Sequence, residues 1–315
     1  MSKRLCLSLI AAASAALLAA GPASATGFAN GDIFASIGGG QVQVYSPTGT
    51  PLMLLNTGVG GYTTGSTTDK AGNFYVTNFS AGSVTEFDKN GALVGTFASG
   101  YTNPESILFN KAQTAFVGDA GQNHIHQVGG ADITVQIQDR GTDWIDLASN
   151  QTTFYYTSEG TTVFRYDLVG GQLSPFATGL PGSTAYELRI LPDGNVLVAD
   201  TNFDVQLNTS GQVIDTYNFS DSGMFSLNLT PDGKDFWTGS FSTGNLYEVD
   251  LATGSVIQTI HTGSGSLYGV SVYGEQTQGG GGHSGVPEPG TWALLLMGAG
   301  LVGGAMRSRR ALATA

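Results

Sequence analysis

Cysteine is almost missing from this 315-residue chain; the single one, Cys6, lies in the opening segment. The body beyond it therefore has neither disulfides nor thiolate metal sites. Basic residues are few: Lys and Arg total 12 against 24 Asp and Glu, and Lys3, Arg4, Arg307, Arg309 and Arg310 sit at the two ends. Residues 26–285 keep 7 basic groups against 23 acidic ones, a net charge of −16. So acidic a body repels phosphate backbones, which excludes nucleic acid as a partner. The body also lacks any sustained helical period, a Gly-x-Ser-x-Gly elbow, a His-Glu-x-x-His helix and a phosphate loop. What it has is 47 glycines and a 41% apolar composition, too apolar for disorder and without a collagen period. About 250 residues must hold together by burial and backbone hydrogen bonds alone, which a chain of that size can do.

Both ends read as address labels. Lys3 and Arg4 precede an apolar run from Leu5 to Ala20, and Ala23-Ser24-Ala25 follows. This order predicts a secretory signal over residues 1–25, engaged by the Sec machinery and cleaved after Ala25; Gly21-Pro22 breaks the helix that a permanent anchor would need. At the other end, residues 276–285 (QTQGGGGHSG) form a glycine-rich linker. Residues 286–315 then hold Val286-Pro287-Glu288-Pro289, an apolar stretch from Trp292 to Met306, and Arg307, Arg309 and Arg310. About 15 apolar residues make ~22 Å of helix, short of a ~30 Å hydrocarbon core, so the tail suits a transient membrane stop. This ordered set resembles the PEP-CTERM sorting signal of Gram-negative bacteria that make extracellular polysaccharide. The resemblance implies recognition by an exosortase, cleavage near the Pro-Glu-Pro motif, and release or attachment at the cell surface.

Between the labels lies a repeat. An aromatic or aliphatic residue, then Asp, Asn or Ser, then a short turn reaching Gly recurs at Tyr45-Ser46, Phe87-Asp88, Tyr166-Asp167, Leu207-Asn208 and Val249-Asp250, with Val128 in a degenerate copy. The spacings are 42, 41, 38, 41 and 42 residues. Each repeat divides into four short β runs, as in Gly65–Thr68, Phe74–Thr77, Ser83–Phe87 and Leu93–Phe97 of the second. Four strands per repeat of this length describe a β-propeller blade. From Gly31 to Tyr273 is 243 residues, close to six such repeats. The first repeat lacks an inner strand, whereas Leu267–Tyr273 is an inner-strand pattern with no blade after it. The expected fold is all-β: a six-bladed β-propeller over residues 26–275, closed by a C-terminal strand that completes the first blade. Residues 103–109 with 115–125, and residues 191–200, resemble NHL-type repeats, a grammar shared with gluconolactonase-type propellers. That likeness implies the fold far more than an activity.

Inner strands and the loops entering them should border the central channel. Glu105, Asp143, Asp146 and Glu187 fall there, with Trp144, Tyr186 and Tyr268 nearby. Glu105, Asp146 and Glu187 are the candidate metal ligands, a set suited to Ca²⁺, which takes six to eight oxygens. The resemblance to gluconolactonase-type enzymes implies a divalent cation in this channel. Glu105 and Glu187 nevertheless fall one position apart in the repeat register, which on an alternating strand turns them to opposite faces. Asn78, Asp119, Ser158, Asp200 and Ser240 recur after the second strand of successive repeats and read as turn residues. His124 and His126 share one face of a strand but lack a third ligand, and Tyr75, Tyr155 and Tyr156 read as blade packing.

Two functions compete. One is a non-enzymatic, exported surface or matrix propeller binding polysaccharide or another envelope protein, with no catalytic residues. The other is a divalent-metal-dependent lactonase, lyase or hydrolase working at the channel mouth.

Overall fold

A computed structural model describes residues 27–276 and 278–280. The expected leader through Ala25, the motif Val286–Pro289 and Arg307, Arg309 and Arg310 lie outside the described residues.

Six antiparallel sheets form six blades. Blade 2 contains Thr63–Thr68, Phe74–Asn78, Ser83–Phe87 and Leu93–Ser99 in spatial as well as chain order. Blade 3 is Pro104–Phe109, Ala115–Asp119, His124–Gln127 and Ile133–Thr134; blade 4 is Ile145–Leu147, Thr153–Tyr156, Thr162–Asp167 and Gly171–Gln172, with Ala177–Thr178 also on its third strand. Blade 5 is Ala185–Ile190, Val196–Asp200, Phe203–Leu207 and Val213–Asn218; blade 6 is Met224–Leu229, Asp235–Ser240, Asn245–Asp250 and Val256–His261. Blade 1 takes its inner strand, Gly269–Val272, from the end of the body and its others, Ile33–Gly38, Gln41–Tyr45 and Pro51–Asn56, from the start. Ile33 pairs with Val272 and Ser36 with Gly269, so the ring is closed by hydrogen bonds between the two ends of the body. Inner strands of successive blades touch all the way round, including blade 6 to blade 1 and blade 1 to blade 2. Closure removes the free edge that an open wheel would leave at each end.

The repeat has a local cause. At the end of the third strand in five of the six blades an aromatic or aliphatic residue is followed by a polar side chain that folds a turn. Asp88 accepts from the N–H groups of Asn90 and Ala92, and Asn208 from those of Ser210 and Gln212. Asp167 and Asp250 do the same in their blades. The chain then needs a left-handed residue, supplied by Gly91 at φ 82° and Gly211 at φ 78°.

Burial is divided by blade interface. Six separate apolar clusters fill the six gaps between neighbouring blades. Between blades 1 and 2, Phe34 stacks on Phe74 with centroids 4.2 Å apart. Tyr75 and Tyr156 are buried in such clusters and Tyr155 packs against one. Among the described residues only a 3-10 turn, Phe79–Ala81, interrupts the strands, and no helix is long and apolar enough to cross a membrane.

Candidate functional site

All six inner strands run in the same sense along the channel. One face of the wheel thus carries their N-terminal ends, the loops between blades and the loops joining second to third strands. The first pairing of the inner strand slips in register at this end in blades 2, 3, 5 and 6. Each slip frees a residue from the ladder and re-aims it, a common device beside binding sites. The freed positions include Thr64, Glu105, Tyr186 and Phe225.

Thr64, Tyr186 and Phe225 help to line a cup of about 340 Å³, together with Tyr62, Phe79, Arg140, Glu159, Gly223, Phe241 and Tyr268; Glu105 is outside the lining, beside Glu159. The aromatic rings form a continuous arc. Tyr62 and Tyr268 are 4.5 Å apart, Tyr268 and Phe241 5.3 Å, Phe241 and Phe225 5.8 Å, and Phe225 and Tyr186 4.8 Å. Tyr62 and Phe241 are the exposed rim, at 48% and 45%. Facing the arc, the Arg140 guanidinium lies over the Phe79 ring and pairs with Glu159 at 2.6 Å.

Glu159 joins the cup to a carboxylate cluster. Ligand oxygens of Glu105, Asp143 and Glu159 all lie within 4.8 Å of one another. Glu105 and Asp143 are buried, and no N–H or O–H donor among the described residues reaches Glu105 Oε2 or either Asp143 oxygen. A proton held by one carboxyl and shared with the other is the hydrogen bond open to that pair. Burial pushes Glu105 up to about 7 and raises Asp143 well above the usual carboxylate range, with the Glu105 charge adding to the second. Burial also raises Glu159, against the pull of Arg140. The Glu159 backbone is left-handed, at φ 48°, a conformation that costs a non-glycine residue of order 1 kcal/mol or more.

The other two candidate ligands belong elsewhere. Glu187 Oε1 pairs with Arg189 Nη2 at 2.6 Å, and its Oε2 accepts from the Leu227 N–H. Asp146 accepts from the N–H groups of Leu147 and Ile190. Glu275, just past the closing strand, accepts from Arg189 Nε at 2.9 Å and from the Leu229 N–H. Burial moves Asp146 up to about 6 and Glu187 well above its normal range, in each case opposed by Arg189. Burial works against the Arg189 charge, yet Glu187, Glu275 and Asp146 outweigh it and raise the guanidinium's pKa. The structure thus brings Glu105 together with Asp143 and Glu159, and separates it from Asp146 and Glu187. The one-position register offset is the reason: Glu105 stands where Tyr186 stands in blade 5, and Glu187 is the next residue along.

The recurring polar residues tie loops together. Asp119 accepts from the Thr102 and Asn103 N–H groups, Asp200 from Gly182, Ser158 from Gln138, while Ser240 donates to the Ser222 carbonyl. Directly after three of these repeated positions come Phe79, Glu159 and Phe241, which line the cup. That signal was present in the sequence as the varying position beside the constant one. His126 sits between Asp132 at 2.8 Å and Asp119 at 3.4 Å; burial opposes its charge, but the two carboxylates prevail and raise its pKa. His124 bonds Gln122, so the histidine pair is held by loop contacts.

Comparison with known proteins yields a local and a global match. Residues 285–310 match the PEP-CTERM protein-sorting motif. No curated protein matches the chain. Among solved structures, a chain of the nidogen/laminin complex is similar at 15% identity and a TM-score of 0.63, over 76% of this chain and 97% of that one. The WD40 β-propeller domain of Doa1 is similar at 14% identity and a TM-score of 0.60, covering 76% and 81%. Virginiamycin B lyase from Staphylococcus aureus gives 12% identity and a TM-score of 0.50, covering 63% and 69%. At these identities the likeness is one of fold. The motif implies export, exosortase processing and transient membrane anchoring through the C-terminus. The chain is a six-bladed β-propeller followed by a PEP-CTERM sorting signal.

Proposed function

We propose that this protein is a cell-surface binding propeller of a Gram-negative bacterium, exported through a Sec signal cleaved after Ala25, and that its cup receives a sugar unit of an exopolysaccharide. The observation carrying this reading is the aromatic arc from Tyr62 to Tyr186 facing the Arg140–Glu159 pair. The C–H face of a pyranose is apolar and stacks on aromatic rings, while its hydroxyls need donors and acceptors at fixed positions. Arg140 donates, Glu159 accepts, and the volume suits one or two sugar rings. An envelope protein displaying such a glycan is an equivalent partner. Calorimetric titration with oligosaccharides cut from the producing organism's own polysaccharide tests the idea. Tyr268→Ala and Phe225→Ala are expected to weaken binding at least tenfold; binding indifferent to both substitutions would place the glycan elsewhere.

A second reading has its own support. The donor-free oxygens of Glu105 and Asp143, with Glu159 beside them, suit Ca²⁺ or another divalent ion. In the metal-dependent lactonase, lyase or hydrolase alternative, Asp143 and Glu159 join Glu105 as ligands in place of Asp146 and Glu187, whose oxygens already accept from backbone N–H groups and Arg189. An ion bound only to the folded state raises the melting temperature as its concentration rises. No shift with Ca²⁺, Mg²⁺, Mn²⁺ or Zn²⁺ retires the metal enzyme.

A further inference from the structure

The chain does not leave the propeller where its last strand ends. Glu275 turns under the wheel to meet Arg189 of blade 5 and the Leu229 N–H of blade 6. A Cβ on Gly233, in blade 6, would lie 3.1 Å from the Gln276 side chain. Gln278 Oε1 accepts from the Ser149 N–H of blade 4, and the Gly279 carbonyl accepts from Gln151 Nε2 at 2.7 Å. Gly280 then bridges Asn110 of blade 3. The described residues of this run, starting beside blade 1, thus meet blades 5, 6, 4 and 3 and reach the far side of the ring. Every partner lies at the C-terminal end of an inner strand or in the turn that follows it. The cup lies at the N-terminal ends. The segment therefore runs across the opposite face of the wheel.

Gly279 shows that this course is built. A Cβ there would stand 1.9 Å from the Leu147 carbonyl oxygen and 2.5 Å from that of Ala148, so only glycine lets the backbones approach. Of the glycine-rich linker that begins at Gln276, the described residues Gln276 and Gln278–Gly280 lie against the body.

We propose that Glu275, Gln276 and Gln278–Gly280 form a strap fixing the sorting tail to the face opposite the cup, so that the membrane-anchored protein turns the cup away from the lipid surface. The apolar stretch that enters the membrane begins at Trp292, so residues 281–291 separate it from the strap by at most about 40 Å of chain, and the tether starts on the face opposite the cup. The strap serves presentation whatever the cup binds, and its failure would leave the glycan reading untouched.

Energy transfer to a headgroup acceptor tests it. The full-length chain, with Cys6→Ser, is inserted by its tail into phosphatidylethanolamine/phosphatidylglycerol vesicles. One donor dye is placed at Lys111→Cys on the strap face, or at Val59→Cys on the cup face; both positions are exposed. Transfer at least twofold greater from position 111 is expected. Equal transfer, or more from position 59, overturns the proposal. Gly279→Val, which forces the strap off, and the milder Gln151→Ala, which removes one bond to it, should bring the ratio towards one. A ratio unmoved by both assigns the orientation to something other than the strap.

Discussion

Two clusters in this propeller have nearly the same composition and opposite characters. Around Arg189 stand Asp146, Glu187 and Glu275; around Arg140 stand Glu159 and, behind it, Glu105 and Asp143. Each has one guanidinium and three carboxylates. Arg189 is buried and pairs with Glu187 and Glu275, and backbone N–H groups reach both Asp146 oxygens, Glu187 Oε2 and Glu275 Oε1. Arg140 is 41% exposed and bonds one acid, leaving the two deepest without a donor. A buried charge that is fully paired belongs to the scaffold, whereas buried carboxylates kept without donors are costly and persist where a proton or a cation serves them. Composition alone does not separate the two; the count of donors does.

That contrast can be broken by experiment. The largest effect is expected from Arg189→Met. It strands the buried Glu187, takes the guanidinium from Glu275 and from beside Asp146, and should cost about 3–5 kcal/mol, lowering the melting temperature by about 6–20 °C. A loss below ~1 kcal/mol would mean that the acids around Arg189 are as poorly paired as those at the cup.

Glu105→Gln with Asp143→Asn should act in the other direction. Removing two charges without donors is expected to raise stability at pH 8 by about 1–3 kcal/mol in chelator, with little gain at pH 5 where protons already occupy the pair. Destabilisation at pH 8 without metal would contradict the assignment.

The pH profile of the unaltered protein sharpens the point. Glu105 and Asp143 have folded pKa values above their unfolded ones, so the folded form holds more protons between the two values. Their contribution is then fully present below about pH 4; the Glu105 part is lost as pH rises through about 7, and the Asp143 part as pH rises through its own raised value. Chemical denaturation in chelator should show stability falling from pH 5 to pH 8. If Ca²⁺ binds the cluster it displaces those protons, and its stabilisation should grow over the same interval and disappear in the double variant.

The smallest effects on stability belong to the cup. Glu159→Gln removes half of a partly exposed ion pair and should change stability by less than ~1 kcal/mol. Calorimetry should still register a clear loss of ligand affinity. A large drop in melting temperature, with affinity intact, would move Glu159 from the site to the scaffold.

How much of this was legible in the sequence varies by element. Phe87-Asp88 and Leu207-Asn208 announce their turns, because an Asx side chain bonds its own neighbouring backbone and needs nothing distant. The sorting tail is legible for a similar reason, being an ordered linear motif. Leu267–Tyr273 could be placed in blade 1 because a ring must close. Glu105, by contrast, was expected with Asp146 and Glu187 because all three lie near the axis. It parts from them because a register slip at the strand's start turns a one-residue offset into a different neighbourhood.

The sequence by itself determined the period, the blade number, the manner of closure and the C-terminal sorting motif, since each is a pattern carried along the chain. Only the tertiary structure decided which acids meet, which arginine is satisfied, and that the chain leaves beneath the wheel through Gly279. Those outcomes depend on donors supplied by other blades, and a donor approaching from 40 to 86 residues away leaves no mark on the local pattern.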